Sequence, residues 1–191
     1  MGDGVSYNSD MKLLIVTPLF PPDTTDSAKH VKELSARLSK DGVTVLLYGH
    51  LPEKSPTINY VCVDKRQSLL DRVFKFTQSF IQESKQANAI ILQNGPSVEL
   101  PALLASLFTK APIIFMLSDT PALLRTKKHW PAKIIHSLLR QRCAHILDKK
   151  NISSWPPPKP IIHPLKPYPE SAMKEFEKKW NEYLTLIRQL F

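Results

Sequence analysis

Five glycines are spread over 191 residues, and none falls in the loop after the first apolar run. A loop in that place usually needs glycine to bring its backbone against a phosphate. Here it reads Pro18-Leu19-Phe20-Pro21-Pro22-Asp23-Thr24-Thr25-Asp26-Ser27, with two acids, which excludes a glycine-rich nucleotide cradle at this position. Cysteine is almost missing. Cys62 and Cys143 lie far apart in apolar surroundings, and the six histidines are scattered, so neither a disulfide framework nor a zinc spacing is written into the chain. The two thiols are expected as buried, free groups of a cytoplasmic protein. Long apolar runs are lacking too: the stretches at 100–108 and 111–117 are split by Lys110, well short of the ~18–20 residues that cross a bilayer. Residues 1–10 are polar and acidic, unlike a secretory leader, and read as a disordered extension.

What is present suits one domain with a real core, 42% of residues being apolar. The formal net charge of +9 is unevenly placed. Between 121 and 150, Arg125, Lys127, Lys128, Lys133, Arg140, Arg142, Lys149 and Lys150 face a single acid, Asp148. Such asymmetry points to an anionic partner: lipid headgroups, a phosphorylated substrate or nucleic acid. Nucleic acid is the weakest of these, since aromatics do not interleave with the basic residues and no helix-turn-helix, RRM or finger pattern occurs.

Apolar runs at 12–18, 43–48, 58–64, 89–92, 112–117, 144–147 and 160–165 read as strands, most of them buried on both faces. Helices are expected between them. At 28–40, Ala28, Val31, Leu34, Ser35 and Leu38 share a face, with Asp26 or Ser27 as cap and Gly42 just beyond the end. A long helix opens at Ser68-Leu69-Leu70-Asp71, a capping-box variant, with Leu70, Val73, Phe74, Thr77 and Ile81 on one face. Further helices are expected at 97–108 and, through Ile134, Ile135, Leu138 and Leu139, at 133–143. The alternation predicts an α/β fold, a doubly wound and mainly parallel Rossmann-like sheet over 11–150. A proline-rich connector follows at 151–169. A terminal helix at 170–191 carries an apolar stripe of Met173, Phe176, Trp180, Tyr183, Ile187 and Leu190, expected to pack on the sheet domain. Ligands of such sheets bind at the carboxyl ends of strands, here the loops at 18–27, 93–97 and 118–120.

The residues Pro18, Phe20, Pro21, Pro22, Asp23, His30, Val31, Glu33, Leu34, Leu38, Gly42 and Val45 stand in an order that resembles the N-terminal half of the family 4 glycosyltransferases, enzymes of the two-domain GT-B fold. Weaker matches follow in the right sequence at 88–95, 100–107, 112–119, 142–147 and 160–164, so the resemblance spans about 150 residues. It implies an acceptor-side domain, half of a GT-B fold. The departures are specific. The family's Gly-Gly is replaced by Thr25-Asp26, its cleft histidine by Ser118, and no two glutamates stand eight apart, so its Glu-x7-Glu pair is absent. The terminal helix resembles the family's crossing helix with the donor domain removed before it.

The resemblance therefore implies a glycosyltransferase-like protein, the acceptor-side half of a sugar transferase, inactive alone and needing a separate donor-binding protein chain. It holds no cofactor of its own, a nucleotide sugar entering only if that partner supplies the donor site. The acceptor, anionic or lipid-linked, is expected against Phe20, His30, Asn94, Ser118 and Asp119, with Lys127 and Lys128 near its phosphate. Asp119 is the one candidate for catalysis, and no metal is expected. Arg125, Lys127, Lys128, Trp130 and Lys133 are the candidate anion or membrane contacts, which would place the protein in the cytoplasm at the inner face of a membrane. The competing readings are a degenerate, non-catalytic binding or scaffold protein and a peripheral membrane adaptor.

Overall fold

In the computed structural model, residues 12–49, 52, 55–157 and 170–190 are described. The predicted extension at 1–10, the strand at 160–165 and most of the proline-rich connector lie outside those residues.

Six strands form one sheet: β1 (Leu13–Thr17), β2 (Val43–Tyr48), β3 (Ile58–Val63), β4 (Ala89–Gln93), β5 (Ile113–Leu117) and β6 (His145–Asp148). All pairings are parallel, and the spatial order is β3-β2-β1-β4-β5-β6. This is the Rossmann order, with the direction of winding reversing between β1 and β4. The fold is thus the doubly wound α/β architecture expected. The central strands β1, β4 and β5 are buried along their whole length, which is why they carry runs of successive apolar residues rather than an alternating pattern.

Side chains alternate across the sheet and build two cores. Leu13, Ile15, Val45, Leu47, Ile91, Ile114 and Met116 point to one face, where α1 (Asp26–Arg37) and α6 (Glu170–Arg188) pack. Leu14, Val16, Leu46, Ile90, Leu92 and Phe115 point to the other, under α2 (Leu69–Ser84), α3 (Pro96–Ala105), α5 (Trp130–Arg142) and, through Leu123, α4 (Thr120–Lys128). The terminal helix packs on the sheet through Phe176, Trp180, Tyr183 and Ile187 of its stripe, joined by Leu184, while Met173 and Leu190 at the stripe's ends are half-buried. Arg37 fastens it to α1, donating two bonds of 2.8 Å to the Glu177 carboxylate and one to Glu33, with its guanidinium 5.0 Å from the Trp180 ring centroid.

Local chemistry differs from the sequence reading in four places. The cap of α1 is Thr25, whose hydroxyl accepts from Ala28 N, not Asp26 or Ser27. A short 3-10 turn, Ser39–Asp41, separates α1 from Gly42, which ends it at φ 69°, in the left-handed region that favours glycine. Ser68 does cap α2, but the helix buries Phe76, Phe80 and Ser84, leaving Leu70 81% and Phe74 69% exposed. Two apolar faces compete on this helix, and the larger aromatic pair takes the core. Finally, the loop expected at 118–120 gives way at Thr120 to α4, where Pro121 lies in the first turn and costs no hydrogen bond.

Both cysteines are free and half-buried rather than fully buried. Burial pushes the Cys143 thiol up to about 12, and it also raises that of Cys62, so neither is a ready nucleophile. Among the described residues no helix is long and apolar enough to cross a membrane.

Candidate functional site

The carboxyl ends of β1, β4 and β5 bring together the three loops expected to meet there, and hydrogen bonds tie them. The Thr17 hydroxyl donates to Gln93 Oε1. The Gln93 amide donates to Ser118 Oγ at 2.8 Å and to Ser27 O at 3.3 Å, and Ser27 Oγ donates to Ser118 O. Asn94 Nδ2 donates to Asp119 O at 2.8 Å, and Asn94 Oδ1 accepts from Asp119 N at 2.9 Å. The crevice at the switch point is closed by packing as well: a Cβ at Gly95 would stand 2.6 Å from Pro18 Cγ.

Three helices begin on this edge, and each N-terminus is already occupied by an acceptor of the chain itself. Thr25 caps α1, with Asp26 adding a negative charge to its first turn. At α3 the buried Glu99 carboxylate turns back to accept from Gly95 N at 3.1 Å, its other oxygen lying 3.0 Å from His136 Nδ1. Asp119 caps α4 through Ala122 N at 3.1 Å. Exposed helix N-termini bind phosphate because their N–H groups lack partners; these three are provided for internally.

Beside the end of β5 a cleft of about 290 Å³ is open. Ser118, Ser27 and His30 form its floor, Trp155, Pro156, Phe176 and Trp180 its apolar wall, and Lys29, Lys32 and Lys149 its cations, with Asp26 and Glu33 also present. His30 is stacked between two indoles, 4.8 Å from Trp155 and 5.1 Å from Trp180, with Tyr183 edge-on at 5.5 Å. Burial, helped by the charge of Lys149, draws its pKa down to about 3. The ring is therefore neutral at physiological pH. Among the described residues its Nε2 and the Nε1–H of Trp180 are buried without hydrogen-bond partners, a state that invites a polar guest.

The sequence-predicted residues separate into groups. His30 and Ser118 meet in this cleft. Asn94 and Asp119 are buried beneath it, their polar groups engaged in the loop and cap bonds just given. Phe20 is buried edge-on to Tyr60 and borders a different hollow with Tyr48, Asp64 and Lys65. Lys127 and Lys128 sit on α4, outside the cleft, and with Arg125, Trp130 and Lys133 they form an exposed surface of their own. The cleft's cations are instead Lys29, Lys32 and Lys149. Trp155 and Trp180 were not singled out as site residues: Trp180 reads as one more member of a packing stripe, and no spacing links either to His30. Among the described residues no three His, Cys, Asp or Glu side chains gather as a metal site requires.

The chain matches no known family model and no curated protein.

Proposed function

We propose that the protein is the acceptor-side half of a split sugar transferase, inactive alone and completed by a separate chain that binds the nucleotide sugar. The observation that carries this reading is the contrast on one sheet edge. A cleft with an aromatic wall and three lysines is open, while the N-termini of α1, α3 and α4, which begin on that edge, each hold an acceptor from the chain itself. The half-buried Trp155 suits a sugar ring, and the lysines suit a phosphate or carboxylate on the acceptor. The family resemblance of the loop at 18–27 and of the first helix supports the same assignment. In this reading Ser118 bonds an acceptor hydroxyl, and Lys149 stands against its anionic group.

A degenerate, non-catalytic binding protein is the second reading. It is favoured by the state of Asp119, whose carboxylate serves as a helix cap and whose residue is only 4% exposed.

Purification of the tagged full chain from its native cells tests both. The expected result is a co-purifying nucleotide-sugar-binding protein, and sugar transfer that needs both chains and is lost in Lys149→Glu. Calorimetric titration of the lone chain with UDP-, GDP- and ADP-sugars should give no heat. Micromolar binding of any of them by the lone chain, or absence of the second protein, overturns the split-transferase reading. Detectable transfer removes the scaffold reading.

A further inference from the structure

The pair α4–α5 presents a surface that the other described residues do not cover. Only Leu139 of α5 is fully buried. Trp130, Ile134 and Leu138 follow one another at steps of four, which places them in line along one side of the helix. They are 74%, 48% and 45% exposed, and Leu124 on neighbouring α4 is 57% exposed. Around this apolar line stand Arg125, Lys127, Lys128, Lys133, Arg140 and Arg142, all exposed. None of these six forms an ion pair among the described residues. The one acid between 121 and 150 is Asp148.

We propose that this surface docks on a bilayer containing anionic lipid. Trp130, Ile134 and Leu138 enter the boundary between headgroups and acyl chains, and the surrounding cations meet lipid phosphates. Charge complementarity selects an anionic surface, and the apolar line selects among anionic surfaces. Three of the four exposed apolar groups are aliphatic; they gain by leaving water for hydrocarbon, whereas a nucleic acid would reward stacked aromatics or donors to base edges. A tryptophan at the end of the line suits the headgroup level, and long Lys and Arg stems let the charges stay wet while their methylenes lie against the apolar layer. The contact stands independently of the transferase reading, since none of its residues lines the acceptor cleft.

Co-sedimentation of the full chain with vesicles is the test. The chain should pellet with mixed phosphatidylcholine and phosphatidylglycerol, not with phosphatidylcholine alone, and less as salt rises. Removing three cations in K127Q/K128Q/K133Q should weaken partitioning by about a hundredfold, at roughly fivefold per charge. W130S/I134S/L138S, with charge unchanged, should also fail to pellet. Because a variant could misfold, tryptophan emission of the parent provides a second readout: it should shift to the blue on adding mixed vesicles, and the shift should be absent in Trp130→Phe. Equal pelleting with neutral vesicles overturns the proposal, as does an unaffected serine variant. Binding to single-stranded RNA without binding to vesicles overturns it in favour of a nucleic-acid surface.

Discussion

The two faces of the sheet are finished differently. On the α1/α6 face neither helix contributes to the exposed large hydrophobics: Met173 and Leu186 are half-buried, the other large apolar groups are buried, and the outer sides carry Lys, Glu and Asn. The face under α2–α5 has an equally dense inner layer, yet Leu69, Leu70, Phe74, Leu104, Leu124, Trp130, Ile134 and Leu138 remain outside it. Both sets of helices do the same work against the sheet. Only one set has apolar surface left over, and it is also the side bearing the basic α4–α5 pair. Surplus of this kind is informative because a folded monomer gains nothing from it.

Substitutions can break the contrast. Trp180→Ala should cost most, about 3–5 kcal/mol, because it empties a buried indole site between His30, Phe176 and Tyr183. Urea unfolding measures it, and a loss under about 1 kcal/mol would mean that α6 does not seal its face. Gly95→Ala should cost about 1–3 kcal/mol in the same assay, since its Cβ collides with Pro18 and the two loops must part.

Acid should weaken the α1/α6 face next. His30 binds its proton at about 3 when folded and near 6.5 when unfolded, so between those values the unfolded state holds more protons and stability falls as pH drops. From pH 7 to 5.5 the loss is roughly 1 kcal/mol, and His30→Phe, which keeps the stack, should flatten that part of the profile. The smallest effect belongs to the other face. Phe74→Ser should change stability by less than about 0.5 kcal/mol; a large loss would show that the outward side of α2 is not spare.

The sheet was legible because a strand buried on both faces is written as a short, mostly apolar run, and β1, β2, β4 and β5 are written that way. The stripe of α6 was legible for a similar reason: its polar residues leave one apolar side. The buried face of α2 was not, because Leu70 and Phe74 repeat with a helical period as good as that of Phe76 and Phe80, and periodicity does not say which stripe a sheet will take. The same ambiguity placed Ile134 and Leu138 inside α5, where only Leu139 is buried. At the site, strand-end logic brought the loops of His30 and Ser118 together. It could not foresee the two indoles, which reach the cleft from 125 and 150 positions beyond His30, nor that Glu99 and Asp119 would turn back to close their own helices.

The seal on the α1/α6 face arrives late. The six strands lie before residue 149, while the helix that covers Ile15, Ile114 and Met116 begins at Glu170. At 5–20 residues per second, synthesis from 149 to 188 takes roughly 2–8 s. For that interval a nascent chain has its whole sheet and only α1 to cover one side of it. That interval, rather than any weakness of the finished protein, is when this chain most needs a chaperone.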